Sequence, residues 1–145
     1  MRTVLYDILT DVNIFKCMVV KIDTKEKFHV ITLNSPELSA NMTAELSDSL
    51  LPLIQNDVKN VVFKLRGLET VDEVSAESLV KLQQYFYENN ASFVFCEIPQ
   101  PIETLLDEKG LLELMNVTPS ESEAWDIVQM EEIERELLND EEYPQ

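Results

Sequence analysis

Residues 17–23 and 27–33 are both runs rich in β-branched and apolar side chains, and the polar Thr24, Lys25 and Glu26 between them predict a β-hairpin. A helical pattern follows from about Thr43, where Leu46, Leu50, Leu53 and Ile54 return to one face, and Pro52 kinks or ends it by removing a backbone donor. After a polar break at 56–60, the run Val61-Val62-Phe63-Lys64-Leu65 is short and mostly apolar, as expected of a central strand covered on both faces. Ala76, Leu79, Leu82 and Phe86 then recur at helical spacing, predicting a helix over 75–88. Residues 92–98 read as a further strand ended by Pro99 and Pro101. Pro101 suits the first turn of a short helix that Gly110 can terminate.

The last helix has a legible start: Thr118 as cap, Pro119 in the first helical position and Glu121 completing a capping box. Ala124, Ile127 and Val128 share one face. Beyond Met130 only Ile133, Leu137 and Leu138 remain apolar, so residues 131–145 are expected to leave the core as an acidic helical tail that frays from Asn139. Strands alternating with helices predict one α/β domain over 18–130, a mixed sheet of four to five strands with helices packed against it. Residues 1–17 stand apart as an N-terminal appendage. Met18 sits where the hairpin begins, so translation starting there is one reading of that segment, which the intact mass of the native protein decides.

A chain of 145 residues with 45% hydrophobic content fits one domain and one continuous core. The net charge of −17 then narrows the partners, because the long-range field repels phosphate backbones and anionic lipid, and nucleic acid and membranes are excluded as partners. Residues 97–145 carry 15 acidic and two basic side chains, so most of the charge lies in the C-terminal third. That acidity reads either as a solvated face or as complementarity to a basic partner. Cys17 and Cys96 lie far apart in apolar runs with no CxxC, as buried thiols of a reducing compartment do. Asp7 and Asp11 interrupt the first apolar run, so no signal peptide is expected, and no run reaches the ~20 residues of a membrane span. The expected location is the cytoplasm, which makes the sequons at Asn41, Asn90 and Asn116 chance matches.

Candidate chemistry is sparse. The single histidine, His29, lies in an alternating strand, where packing is the ordinary role. With only Gly67 and Gly110 there is no glycine-rich phosphate cradle, and nucleotide binding of that kind is excluded. Tyr85, Phe86 and Tyr87 lack the interleaved arginines of a base-stacking surface. No histidine or cysteine spacing suggests a metal site beside Asp72 and Glu73. No catalytic residue, metal or cofactor is assigned.

The run Val61-Val62-Phe63-Lys64-Leu65-Arg66-Gly67-Leu68-Glu69-Thr70-Val71-Asp72-Glu73-Val74-Ser75-Ala76-Glu77-Ser78-Leu79 resembles, without gaps, the pattern of the STAS (sulfate transporter and anti-sigma factor antagonist) domain. That pattern is a hydrophobic strand, Asp-Leu-Ser-Gly, a hydrophobic pair, then Asp-Ser-Ser-Gly opening a helix. Residues 30–40 resemble the family's second strand and first helix, and Gly110-Leu111 with Glu123-Ala124 its closing segment, so the likeness covers about 18–130. Two departures bear on mechanism. Lys64 stands at the family's Asp before the signature glycine, and Asp-Ser-Ser-Gly is Asp72-Glu73-Val74-Ser75 here. In anti-anti-sigma members a partner kinase, itself the anti-sigma factor, phosphorylates the second serine of that motif. Val74 occupies that position and has no hydroxyl.

The resemblance implies a STAS-like fold and a non-enzymatic regulatory module that binds another protein, an anti-sigma factor or a serine kinase, through a loop comprising Thr70, Asp72, Glu73, Val74, Ser75 and Ser78. A helix N-terminus offers unpaired amides and partial positive charge, so an acidic or phosphorylated group there changes the charge a partner meets. Ser75, which could also cap the helix, is the candidate modified hydroxyl if the switch has moved by one residue. The alternative is a scaffold acting through its acidic C-terminal helix, which truncation after Met130 would test.

Overall fold

The computed structural model describes residues 20–142, with side chains to 138. The N-terminal appendage, Met18 and Cys17 lie outside the described residues. The expected hairpin forms from β1 (Val20–Thr24) and β2 (Phe28–Leu33), antiparallel, with the Lys25 amide donating to the Phe28 carbonyl at 2.8 Å. On β2 lies β4 (Asn60–Lys64), then β6 (Phe93–Cys96) and β7 (Val117–Thr118), all parallel, in the order β1-β2-β4-β6-β7. Two further strands, β3 (Glu37–Leu38) and β5 (Thr70–Val71), form a separate parallel ladder.

Consecutive side chains on the central strands point to opposite faces. Ile31, Phe63, Phe93 and Phe95 meet Leu46 and Leu50 of α1 (Ala40–Leu50), Leu79, Leu82 and Phe86 of α2 (Glu73–Glu88), and Ile102 and Leu106 of α3 (Gln100–Glu108). Within this core Phe86 meets Phe93 edge-on at 5.0 Å between ring centres. Val30, Val62, Val94 and Cys96 face the other way, against Ala124 and Val128 of α4 (Glu121–Glu142), with Trp125 stacked on Phe28 at 4.8 Å. Covered on both faces, β4 and β6 carry the apolar runs Val61-Val62-Phe63 and Phe93–Cys96, while β2 buries His29 and Thr32 among its apolar residues.

Three helix boundaries differ from the sequence expectation. Ser39 caps α1, its side chain accepting from the Met42 amide, so the helix begins three residues before Thr43; it ends at Leu50, where Pro52 enters a 3-10 turn. Ser75 is not the cap of α2. Asp72 is, and the helix starts at Glu73. Thr118 belongs to β7, so α4 starts at Glu121 instead of Pro119, and Ser120 takes the capping role two residues on: its hydroxyl receives the Glu123 amide at 3.3 Å and donates to the Glu123 carboxylate at 2.9 Å. Gly110, at φ +74°, closes α3 as expected.

Beyond Met130, α4 stays in contact with the sheet. Glu131 accepts from the buried Ser92 hydroxyl (2.5 Å) and the Asn116 amide group (3.1 Å), and Glu132 accepts from Asn60 (2.7 Å). Arg135 reaches Ser92 at 3.4 Å. Truncation after Met130 would therefore remove the contacts that close the start of β4 and β6.

Candidate protein-docking site

The segment between β4 and α2 is positioned by main-chain bonds. Both the Glu69 and Thr70 amides donate to the Pro36 carbonyl, at 2.6 and 2.9 Å, which sets β5 beside β3. Gly67 makes the turn before it, where a Cβ would lie 3.4 Å from the Leu33 carbonyl oxygen. A shallow depression of about 280 Å³ between the short strands is lined by Glu37, Leu38, Ser39, Thr70, Val71 and Asp72.

Thr70 is exposed at the rim. Asp72 leaves the strand in an extended conformation, and its Oδ1 accepts from the Ser75 amide at 2.7 Å, satisfying one orphan donor of the helix start. That amide hydrogen bond holds the Asp72 carboxyl below its ordinary range, so Asp72 is a fixed negative charge at neutral pH. Glu73 occupies the first helical position, where it complements the dipole, and its carboxylate lies 3.6 Å from Lys109 in an exposed pair. Val74 follows with 60% of its surface in solvent, a large apolar side chain on an acidic helix end.

Ser75 lies on the other side of the helix, fully buried, and among the described residues its Oγ has no hydrogen-bond partner. The candidate modified hydroxyl thus faces the core. Ser78, half-buried one turn on, donates to the Val74 carbonyl at 3.0 Å. Of the six loop residues, Thr70, Asp72, Glu73 and Val74 share an accessible edge, Ser78 borders it and Ser75 does not reach it. Glu37 and Ser39, brought in by β3, were not singled out from the sequence. The signal for Ser39 was its place as an N-cap, hidden by a ladder only two residues long.

Lys64, at the position where the family pattern has Asp, is mostly covered between Glu97 (3.6 Å) and Glu121 (3.2 Å), joining the end of β4 to the start of α4. Glu97 also pairs with Arg66 at 3.8 Å and holds a left-handed backbone (φ 56°), uncommon for a non-glycine residue. Behind them burial and the neighbouring Glu97 push the Cys96 thiol up to about 12, as expected of an inert packing cysteine. His29 is also buried, with Nε2 donating to the Val58 carbonyl at 2.7 Å and Nδ1 accepting from Thr24 at 2.9 Å; burial lowers its pKa despite the carbonyl. Among the described residues no helix is long and apolar enough to cross a membrane, and no group of three or more His, Cys, Asp or Glu side chains could hold a metal ion.

No curated protein matches the chain. Solved structures do. An anti-sigma-factor antagonist (STAS) domain protein from Planctomyces limnophilus superposes with a TM-score of 0.65 at 17% identity, over 76% of this chain and 97% of that one. RsbS of Moorella thermoacetica, in a serine-to-glutamate variant, gives 0.64 at 22% identity over 76% and 94%. The unphosphorylated anti-sigma factor antagonist SpoIIAA gives 0.61 at 15% over 76% and 96%. These likenesses establish the fold. The STAS domain model matches residues 19–124, most of the chain and the whole of the sheet with its helices up to the start of α4: the chain belongs to the STAS domain family.

Proposed function

We propose that the chain is a non-enzymatic, cytoplasmic regulatory adaptor that docks an anti-sigma factor or a serine kinase through the start of α2, in the manner of an anti-sigma factor antagonist but without phosphorylation at the usual position. The observation that carries this reading is Val74, exposed at the first turn of α2 beside the carboxylates of Asp72 and Glu73. Where relatives add charge with a phosphate, this helix end has permanent charge and an apolar contact point. Ser75 as the modified residue is disfavoured, since a kinase would have to open the first turn of α2 to reach a hydroxyl that faces the core.

Affinity capture from a native extract tests the proposal. Val74→Arg leaves the Asp72 cap in place, and Asp72→Arg with Glu73→Arg inverts the charge. Both variants are expected to lose the specific partner while the fold, followed by circular dichroism, persists. Retention of every specific partner by both would show that α2 is not the interface.

A further inference from the structure

The sheet uses only one side of α4. Ala124 and Val128 are fully buried against β4 and β6, while Met130, Ile133 and Leu137 are 57%, 55% and 57% exposed. At 3.6 residues per turn these three lie within an arc of about 60°, roughly opposite the packed side. Solvent-facing helix positions are ordinarily polar, and a sustained row of three large apolar side chains spaced three and four apart is the pattern of a helix that meets another helix.

The surroundings of the row indicate what it meets. Glu123 and Asp126 extend the same side towards the start of α4, Glu134 and Glu136 flank it, and all four are exposed. Arg135, the basic residue among the described side chains of α4, is turned towards Ser92. An apolar row rimmed on its own helix by carboxylates, with no cation among the described side chains of α4 turned towards it, is complementary to an amphipathic helix whose apolar stripe is rimmed by lysine or arginine. A second copy of this chain fits poorly, because pairing through this face would set the same carboxylates against their own copies.

From this we infer that the outer face of α4 is a second docking surface, separate from the start of α2, and that it takes a basic amphipathic helix of a partner protein. The bonds from Glu131, Glu132 and Arg135 to the sheet fix the helix while leaving that face outward, so the surface is held ready without ordering on binding.

The test uses the full chain and a fluorescent 18-residue peptide of leucine and lysine patterned as an amphipathic helix, with a scrambled peptide of the same composition and a leucine–glutamate peptide as controls. The leucine–lysine helix is expected to bind saturably, at least tenfold tighter than either control, and more weakly as salt rises. Met130→Gln with Ile133→Gln and Leu137→Gln should weaken binding at least tenfold, and Asp126→Lys with Glu134→Lys should also weaken it. Circular dichroism should show the fold unchanged in both variants. Absent binding, or equal binding by the glutamine variant, would overturn the inference. So would a dimer in sedimentation that the glutamine variant dissociates, which would give the face to a second copy. A Met130 methyl already in nuclear Overhauser contact with residues 1–19 in the free chain would give it to the chain's own N-terminal segment.

Discussion

Asn60 is the residue whose loss should cost the fold most for a single polar side chain. It is 3% exposed and ties three elements together: Nδ2 donates to the Lys27 carbonyl (3.1 Å) and to Glu132 (2.7 Å), and Oδ1 accepts from the Ser92 amide (2.8 Å). Only this orientation of the amide group satisfies all three, since a flip would set its oxygen against a carbonyl and a carboxylate. In Asn60→Ala the Ser92 amide is left buried and unpaired, which costs about 1–3 kcal/mol, and a charge-assisted bond to Glu132 goes as well. Partial solvation of Glu132 discounts that second contribution, so the expected loss is about 2–4 kcal/mol. Urea unfolding followed by tryptophan fluorescence measures it, with an unchanged dependence on denaturant showing that the compactness of neither state has altered. A coupling of about 1 kcal/mol with Glu132→Gln in a double-mutant cycle is the accompanying expectation. A loss below about 1 kcal/mol would refute the view that this bond set closes the end of the sheet.

Ser75→Ala removes a buried hydroxyl without a hydrogen-bond partner and installs a better helix former, so stability should hold or rise by up to about 1 kcal/mol; a fall of that size would mean that the hydroxyl is bonded in solution. The lowered pKa of His29 means that the unfolded state takes up its proton first, so the contribution is complete above about pH 6.5 and is lost as pH falls towards the folded value. Urea midpoints should therefore fall on lowering the pH from 7 to 5.5, more steeply in the parent than in His29→Gln, and equal slopes would contradict this. Cys96, buried with its thiol pushed up to about 12, should escape iodoacetamide at pH 8 until urea unfolds the chain; peptide mass spectrometry reports on that residue, and rapid native labelling would speak against the packing described.

The elements that sequence made legible are those whose signal is local. The hairpin, β4, α2 and the glycine end of α3 each carry their own periodicity or breaker. Long-range pairing overrides local signals at the short ladder and at the start of α4, whereas the start of α2 turns on a choice between neighbouring caps. The β3–β5 ladder exists because the Pro36 carbonyl receives two amides from thirty-odd residues away, and no two-residue strand announces that. Thr118 has the side chain of a cap, but β7 claims it and leaves the role to Ser120. The segment that the family resemblance singles out lies at the start of α2, yet its orientation was not legible: whether Ser75 or Val74 faces solvent depends on which residue caps α2, and Asp72 takes that role instead of Ser75. The anchors of α4 were hidden for a similar reason, because Glu131 and Glu132 sit in an acidic run indistinguishable from a solvated face until Asn60 and Ser92 are placed beneath them.

The claim that matters most for function is that the start of α2 binds with fixed charge and needs no phosphate. Intact-mass spectrometry of the chain recovered in complex with its partner tests this directly. The partner-bound form is expected at the unmodified mass; a bound form carrying phosphate at Ser75, released when that phosphate is removed, would contradict binding by fixed charge.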